Sequence, residues 1–250
     1  MAINTDKNSY TIIFAIIMVV VVGSILAFAA EGLKENITEN KRIEKQQNIL
    51  YALGVNENDE SSVNFVSKKV VAESFSSHIT KQLIIQGETA TEDPEAYLID
   101  IKKEQAAAKD ASYQRRLPLF VGEIEGETYY IAPILGKGLW DAIWGYVALD
   151  KNMVVKGVFF DHKGETPGLG ANINQRFFMD DFSGEHLYDA SGSFAGITVA
   201  KGNGDPKNDN KTDNKVDAIA GSTITGNGVT AMIKDELKLY IPYFNTLKNN

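Results

Sequence analysis

Ser222, Thr223 and Thr225, three hydroxyls in a glycine-bracketed stretch, are the side chains whose type and spacing best suit chemistry. An extended apolar entry (Val216, Ala218, Ile219) and Gly221 lead into them, and Gly226 and Gly228 follow. Apolar residues at 229, 232, 233, 237 and 239 then recur at helical spacing, which predicts a helix over Val229 to Leu239. A helix start leaves backbone N–H groups without partners and carries partial positive charge, so it favours an anion. Glycines beside it let the backbone approach that anion with no Cβ in the way. Ser and Thr are also ordinary N-caps. From the residues alone, the stretch is a helix cap or a phosphate site.

Two further glycine-rich blocks accompany it. Gly136-Lys137-Gly138-Leu139-Trp140 is predicted as a loop carrying a large aromatic, and a loop Trp serves packing or a cofactor. Gly164-Glu165-Thr166-Pro167-Gly168-Leu169-Gly170 is a shaped loop, because Pro167 and three glycines oppose a helix interior. It is predicted to lead into a helix over Asn172 to Met179.

Much other chemistry is excluded. The chain has no cysteine, so it holds no disulfide, thiolate-bound cluster or cysteine nucleophile. The 3 histidines (78, 162, 186) show no metal or haem spacing. Asp205, Asp209 and Asp213 are broken by Pro206 and lysines and lack the closing Glu of a calcium loop, so no metal site is expected and 202–215 is predicted as a solvated loop. A net charge of −8 argues against nucleic acid. No G-x-G-x-x-G follows a strand, so nothing suggests that NADH binds here. No Ser–His–Asp spacing or carboxylate pair calls for acid–base catalysis, and any redox chemistry needs an organic cofactor.

These blocks must be positioned by a fold. Residues 1–9 form a tail. Tyr10 to Ala30 carries no charge and, at about 1.5 Å per residue, can cross a hydrocarbon core of roughly 30 Å. Ala27-Phe28-Ala29 has the form of a signal cleavage site, but the apolar run is too long for most signal peptides, and a retained transmembrane helix over 10–30 is expected. Only Lys7 precedes the span, whereas Lys34, Lys41, Arg42 and Lys45 follow it, and by the charge rule alone the large domain faces the cytoplasm. Residues 31–60 are predicted as a helical stalk ending at Gly54 plus a polar linker through 56–62. The soluble domain is expected over 61–250.

Within that domain, 63–115 gives mixed signals, with helix favoured over Glu104 to Ala111. Leu117–Val121 with Tyr129–Leu135, and Ile143–Leu149 with Met153–Phe160, are predicted as two hairpins. Extended structure returns near 194–219, and Ile241-Pro242-Tyr243-Phe244 reads as the terminus of the last helix. The fold class is α+β: one N-terminal transmembrane helix, then a mixed sheet-and-helix domain.

Gly221-Ser222-Thr223-Ile224-Thr225 resembles the Gly-Ala-Thr/Ser-x-Thr signature at which a flavin transferase esterifies the phosphate of FMN to threonine. The other two blocks, the order of all three, the single membrane segment and the length of 250 residues agree. The chain resembles the C subunits of the bacterial sodium-translocating NADH:quinone oxidoreductases, departing from the signature at Ser222, where Ala is common. The resemblance implies an FMN-binding domain with FMN bound covalently to Thr225, and Gly221, Ser222, Thr223 and Ile224 beside it. It implies that Trp140, Glu165, Thr166, Gly168 and Leu169 line the flavin, with Leu169 offering an apolar face and the backbone at 168 and 170 polar groups. It further implies an electron relay within an inner-membrane sodium pump, no catalytic residue in this chain, and NADH and quinone sites on partner subunits. It places the domain on the periplasmic side, against the charge rule, because long domains translocate largely regardless of charge. The flavin-carrying G subunit of the related ferredoxin-linked complex, and a membrane-anchored binding protein in which Thr225 is only a helix cap, are the alternatives.

Overall fold

The computed structural model describes residues 7–59, 62–202 and 204–248. Most of the predicted tail (1–6), Glu60 and Ser61 of the linker, Asn203 of the solvated loop and residues 249–250 of the domain lie outside them. One helix, α1 (Asn8–Leu53), takes in both the apolar span and the charged segment after it. By length and composition it can cross a membrane. It ends in a Schellman arrangement: Gly54 has φ +98°, its N–H donates to Tyr51 O at 3.0 Å, and Val55 N–H donates to Leu50 O at 2.8 Å.

The chain forms two compact units, 1–44 and 45–250. The second therefore begins ahead of residue 61 and includes the last turns of α1, whose Ile49, Leu50, Ala52 and Leu53 are fully buried.

Both predicted hairpins are present, as β3 (Leu117–Ile124) with β4 (Glu127–Lys137) and β5 (Ala142–Leu149) with β6 (Val155–His162). The mixed region supplies α2 (Val71–His78), β1 (Ile79–Gln86), β2 (Thr89–Glu92) and α3 (Ile101–Ala107), the last starting three residues ahead of the predicted Ala-rich helix. The six strands make one antiparallel sheet in the order β2-β1-β3-β4-β5-β6. The later extended segments do not join it. β7 (Thr198–Ala200) and β8 (Lys215–Asp217) form a separate parallel pair. They are held instead on α5 (Thr223–Leu237), where Val199 N–H donates to Thr230 Oγ1 at 2.9 Å.

Strand alternation assigns a helix to each face of the sheet. Gly122, Ile131, Ala148 and Gly157 share one face through their pairings, and there Gly122 meets the Leu53 side chain and Gly157 the Ala52 carbonyl. Gly136 lies on the opposite face, against Met232 of α5. Val229, Met232, Ile233 and Leu237 are the buried stripe of α5. The predicted helix before the core aromatic cluster is broken: a 3-10 turn (Gly170–Asn174) and α4 (Arg176–Met179) meet at Gln175, whose ψ of 147° is extended. This piece buries Phe178 against Phe160 and Phe182. The chain also does not stop at 241–244 but forms α6 (Ile241–Lys248), with Pro242 in the first turn where its missing N–H costs nothing.

Candidate functional site

The helix carrying the three hydroxyls begins at Thr223, six residues ahead of the predicted Val229, so Thr225 sits in its first turn and Gly226 and Gly228 are helical. The glycines are there for close packing: a Cβ on Gly228 would stand 2.3 Å from the Lys137 carbonyl of β4. The apolar period could not show this, because glycine breaks the pattern without breaking the helix. The first helical bond runs from Gly226 N to Ser222 O at 2.8 Å, leaving the N–H groups of Thr223, Ile224 and Thr225, among the described residues, as the unpaired donors of the helix start.

Neither flanking hydroxyl caps this end. Ser222 is the N-cap residue but makes no side-chain capping bond, and its Oγ is buried without a partner among the described residues. Thr225, only 2% exposed, donates Oγ1–H to Glu165 Oε2 at 2.6 Å. A bond this short is the length of a charge-assisted O–H···O⁻.

Glu165 comes from the loop after β6 and is itself 4% exposed. Burial pushes its carboxyl up, but the Thr225 hydroxyl and the backbone N–H groups of Trp140, Leu139 and Asp141 outweigh that. Together they hold it below the usual carboxylate range. The Trp140 N–H bond to Oε1 is 2.9 Å. Those donors belong to the tight β4–β5 turn, closed by Gly138 N–H to Asp141 O at 2.8 Å. Thr166 organises the other loop by accepting from Leu169 N and Ala171 N, both at 3.1 Å. Gly170 is required by crowding: a Cβ there would lie 2.5 Å from both Glu165 Oε2 and Thr225 Oγ1.

The three blocks thus converge at one end of the sheet around a cavity of about 230 Å³. Glu165, Thr166, Leu169 and the run from Gly221 to Thr225 line it, together with Leu139 and Gly170. Trp140 and Gly168 stand outside that lining. Trp140 is 67% exposed with its indole N–H on Thr166 Oγ1 at 3.1 Å, and Gly168 takes φ +77° in the loop. Leu139 is a lining residue that the sequence reading does not single out, although its place in the Gly-Lys-Gly-Leu-Trp block is a signal for it. Around the mouth, Leu139, Trp140, Leu169 and Ile224 are all exposed apolar side chains.

The arrangement fits a phosphorylated, planar aromatic group. The helix start and the orphaned Ser222 hydroxyl offer donors to a phosphate, and the exposed apolar rim offers faces to a ring. This is a flavin-nucleotide-binding domain on a membrane-anchoring helix. A family model described as FMN-binding domain matches residues 138–238. The C subunit of the Na(+)-translocating NADH-quinone reductase from Pseudomonas aeruginosa is 33% identical over 247 residues, covering 92% of this chain and 91% of its own. Its counterpart from Neisseria meningitidis serogroup B is 30% identical and covers 100% of this chain and 98% of its own. The crystal structure of the same subunit from Parabacteroides distasonis superposes with a TM-score of 0.70 at 30% identity, covering 85% of this chain and 96% of that one. The chain belongs to the family of C subunits of the Na(+)-translocating NADH-quinone reductases.

Proposed function

We propose that this protein is the flavin-carrying electron relay of a sodium-pumping NADH:quinone reductase, with FMN joined by a phosphoester bond to Thr225. The observation that carries this is the position of Thr225: its hydroxyl lies in a cavity beside unpaired helix N–H groups, paired with a buried carboxylate and not used as a cap. When bound, the flavin supplies the electron-transfer chemistry, and the protein supplies orientation and tuning. Leu169 and Leu139 give it apolar surface, the first turn of α5 neutralises phosphate charge, and Ser222 Oγ gains a partner. Thr223, exposed where Thr225 is buried, is a bystander.

A flavin transferase attaches the group, and the NADH and quinone sites lie on partner subunits of the membrane complex. The helix over 10–30 is a retained inner-membrane anchor, with the domain that follows facing the periplasm. The intact mass of the chain made with and without the transferase tests the attachment. A gain equal to FMN less water, mapped to the peptide bearing Thr225, is expected; no gain, or flavin on Ser222 or Thr223, overturns it. Protease added to spheroplasts should digest the domain, and its protection there would reverse the orientation.

A further inference from the structure

We propose that Glu165 is the general base of flavin attachment, taking the proton of Thr225 Oγ1 as that oxygen becomes bonded to phosphorus. This rests on the attachment of FMN to Thr225 argued above and adds a catalytic residue to this chain for its own modification.

An alcohol is a weak nucleophile at neutral pH and needs a base within hydrogen-bond reach. Thr225 Oγ1 has one already in place: Glu165 Oε2, at 2.6 Å and almost wholly buried. The hydrogen bond directs the hydroxyl proton onto the carboxylate and leaves the oxygen lone pairs free. The backbone N–H donors at Leu139, Trp140 and Asp141 fix the carboxylate and favour its ionised form, which alone can accept the proton. A purely structural carboxylate would serve equally well on any donor. Here, of the cavity's hydroxyls, it holds that of Thr225, in the first turn of α5 beside the unpaired helix N–H groups, which are placed to receive the charge that builds on the phosphate oxygens.

The bond changes balance without redox chemistry. The Oγ1–P bond forms, and the P–O bond to the leaving group breaks with its electron pair. The proton passes from Oγ1 to Glu165 Oε2 and then to solvent. A free phosphate monoester would have to expel hydroxide, a poor leaving group, so the co-reactant is a flavin nucleotide activated as a diphosphate ester, which releases a nucleoside monophosphate. The charged and titratable groups around Glu165 are few. Asp141 and Lys163 pair with each other at 2.8 Å, His162 Nδ1 accepts from the Glu165 backbone N–H at 3.1 Å, and Lys137 ends β4. The first turn of α5 contributes no charge.

The test uses the full-length chain made without flavin, in detergent, with a flavin transferase and flavin adenine dinucleotide, following mass gain against time from pH 6 to 9. Glu165→Gln is expected to slow attachment by about 10²- to 10⁴-fold at pH 7, the usual worth of a general base. The ratio of its rate to wild type should rise roughly tenfold per pH unit, as hydroxide substitutes for the missing carboxylate. A ratio independent of pH, or a variant as fast as wild type, overturns the proposal. If Glu165→Gln does not unfold cooperatively, Glu165→Asp carries the test. A lower rate with the wild-type pH profile supports the base, and a rate ratio to wild type rising tenfold per pH unit overturns it. Wild type gaining no mass would instead overturn the attachment reading beneath it.

Discussion

The hydroxyl of Thr225 and the carboxylate of Glu165, 60 positions apart in the chain, meet at 2.6 Å in the interior. The loop after β6 and the first turn of α5 are therefore coupled, and perturbing one should be felt in the other.

Thr225→Ala removes the donor and leaves a buried carboxylate oxygen unpaired. We expect complete loss of covalent flavin and, in the flavin-free chain, destabilisation of about 1–3 kcal/mol. Thr223→Ala should retain attachment with stability close to wild type. Intact mass and denaturant unfolding of both variants check this.

Gly170→Ala forces a methyl to within 2.5 Å of both partners. The loop must shift or the pair must part, at a cost of about 1–3 kcal/mol, typical of overpacking. Attachment should slow sharply, although neither partner has been altered. Thermal unfolding together with mass analysis would show it, and normal values in both would mean that the loop gives way freely.

The same helix is anchored at its far end by a second buried carboxylate. Arg115 holds Glu236 through Nη1 at 2.9 Å and Nη2 at 2.5 Å, and Gln105 donates to it at 3.1 Å. Glu236→Ala leaves the guanidinium buried without its charge partner and should cost about 3–5 kcal/mol. The double variant Glu236→Leu with Arg115→Met should recover most of that, as urea midpoints will show.

Stability should also depend on pH through Glu185. Burial pushes its carboxyl up to about 7, helped by Asp213 and Asp205 and opposed by the Asn208 hydrogen bond and Lys211. Asp181 is likewise raised to about 6, chiefly by burial. A raised carboxyl binds its proton more tightly folded than unfolded. Its contribution is full below the ordinary value of 4.5 and is lost as pH rises to about 7. Glu185→Gln, which stays neutral, should flatten the fall in stability between those limits and melt higher than wild type at pH 8. Equal melting at pH 8 would count against it.

Leu169 is 41% exposed at the rim of the cavity. With FMN in place, Leu169→Glu should lower the flavin potential while leaving attachment intact, because negative charge beside the ring disfavours the reduced anion. For scale, 59 mV is a tenfold change in a one-electron equilibrium. Potentiometric titration beside wild type decides it; unchanged potential and spectrum in both Leu169→Glu and Trp140→Ala would make these residues scaffold.

The sequence by itself determined the parts whose signals are local. The uncharged run from Tyr10 to Ala30, the Gly54 stop and the four strands between Leu117 and His162 follow from hydropathy period and turn residues, which depend on neighbours a few positions away. The three glycine-rich blocks were also legible, since Gly, Pro and Thr at fixed spacing state a backbone requirement directly. Only the tertiary structure decided where α5 begins, because Gly226 and Gly228 weaken a helix in isolation and are tolerated for the close approach of β7 to the first and of β4 to the second. It alone showed β1 and β2 in the sheet, since strands with mixed faces gain their stability from partners far away in the chain. The pairing of Glu165 with Thr225, and the orphaned hydroxyl of Ser222, were likewise invisible. A buried hydrogen bond between distant residues leaves no periodicity in the sequence, and it exists only once the β4–β5 turn, the loop after β6 and the start of α5 are packed together.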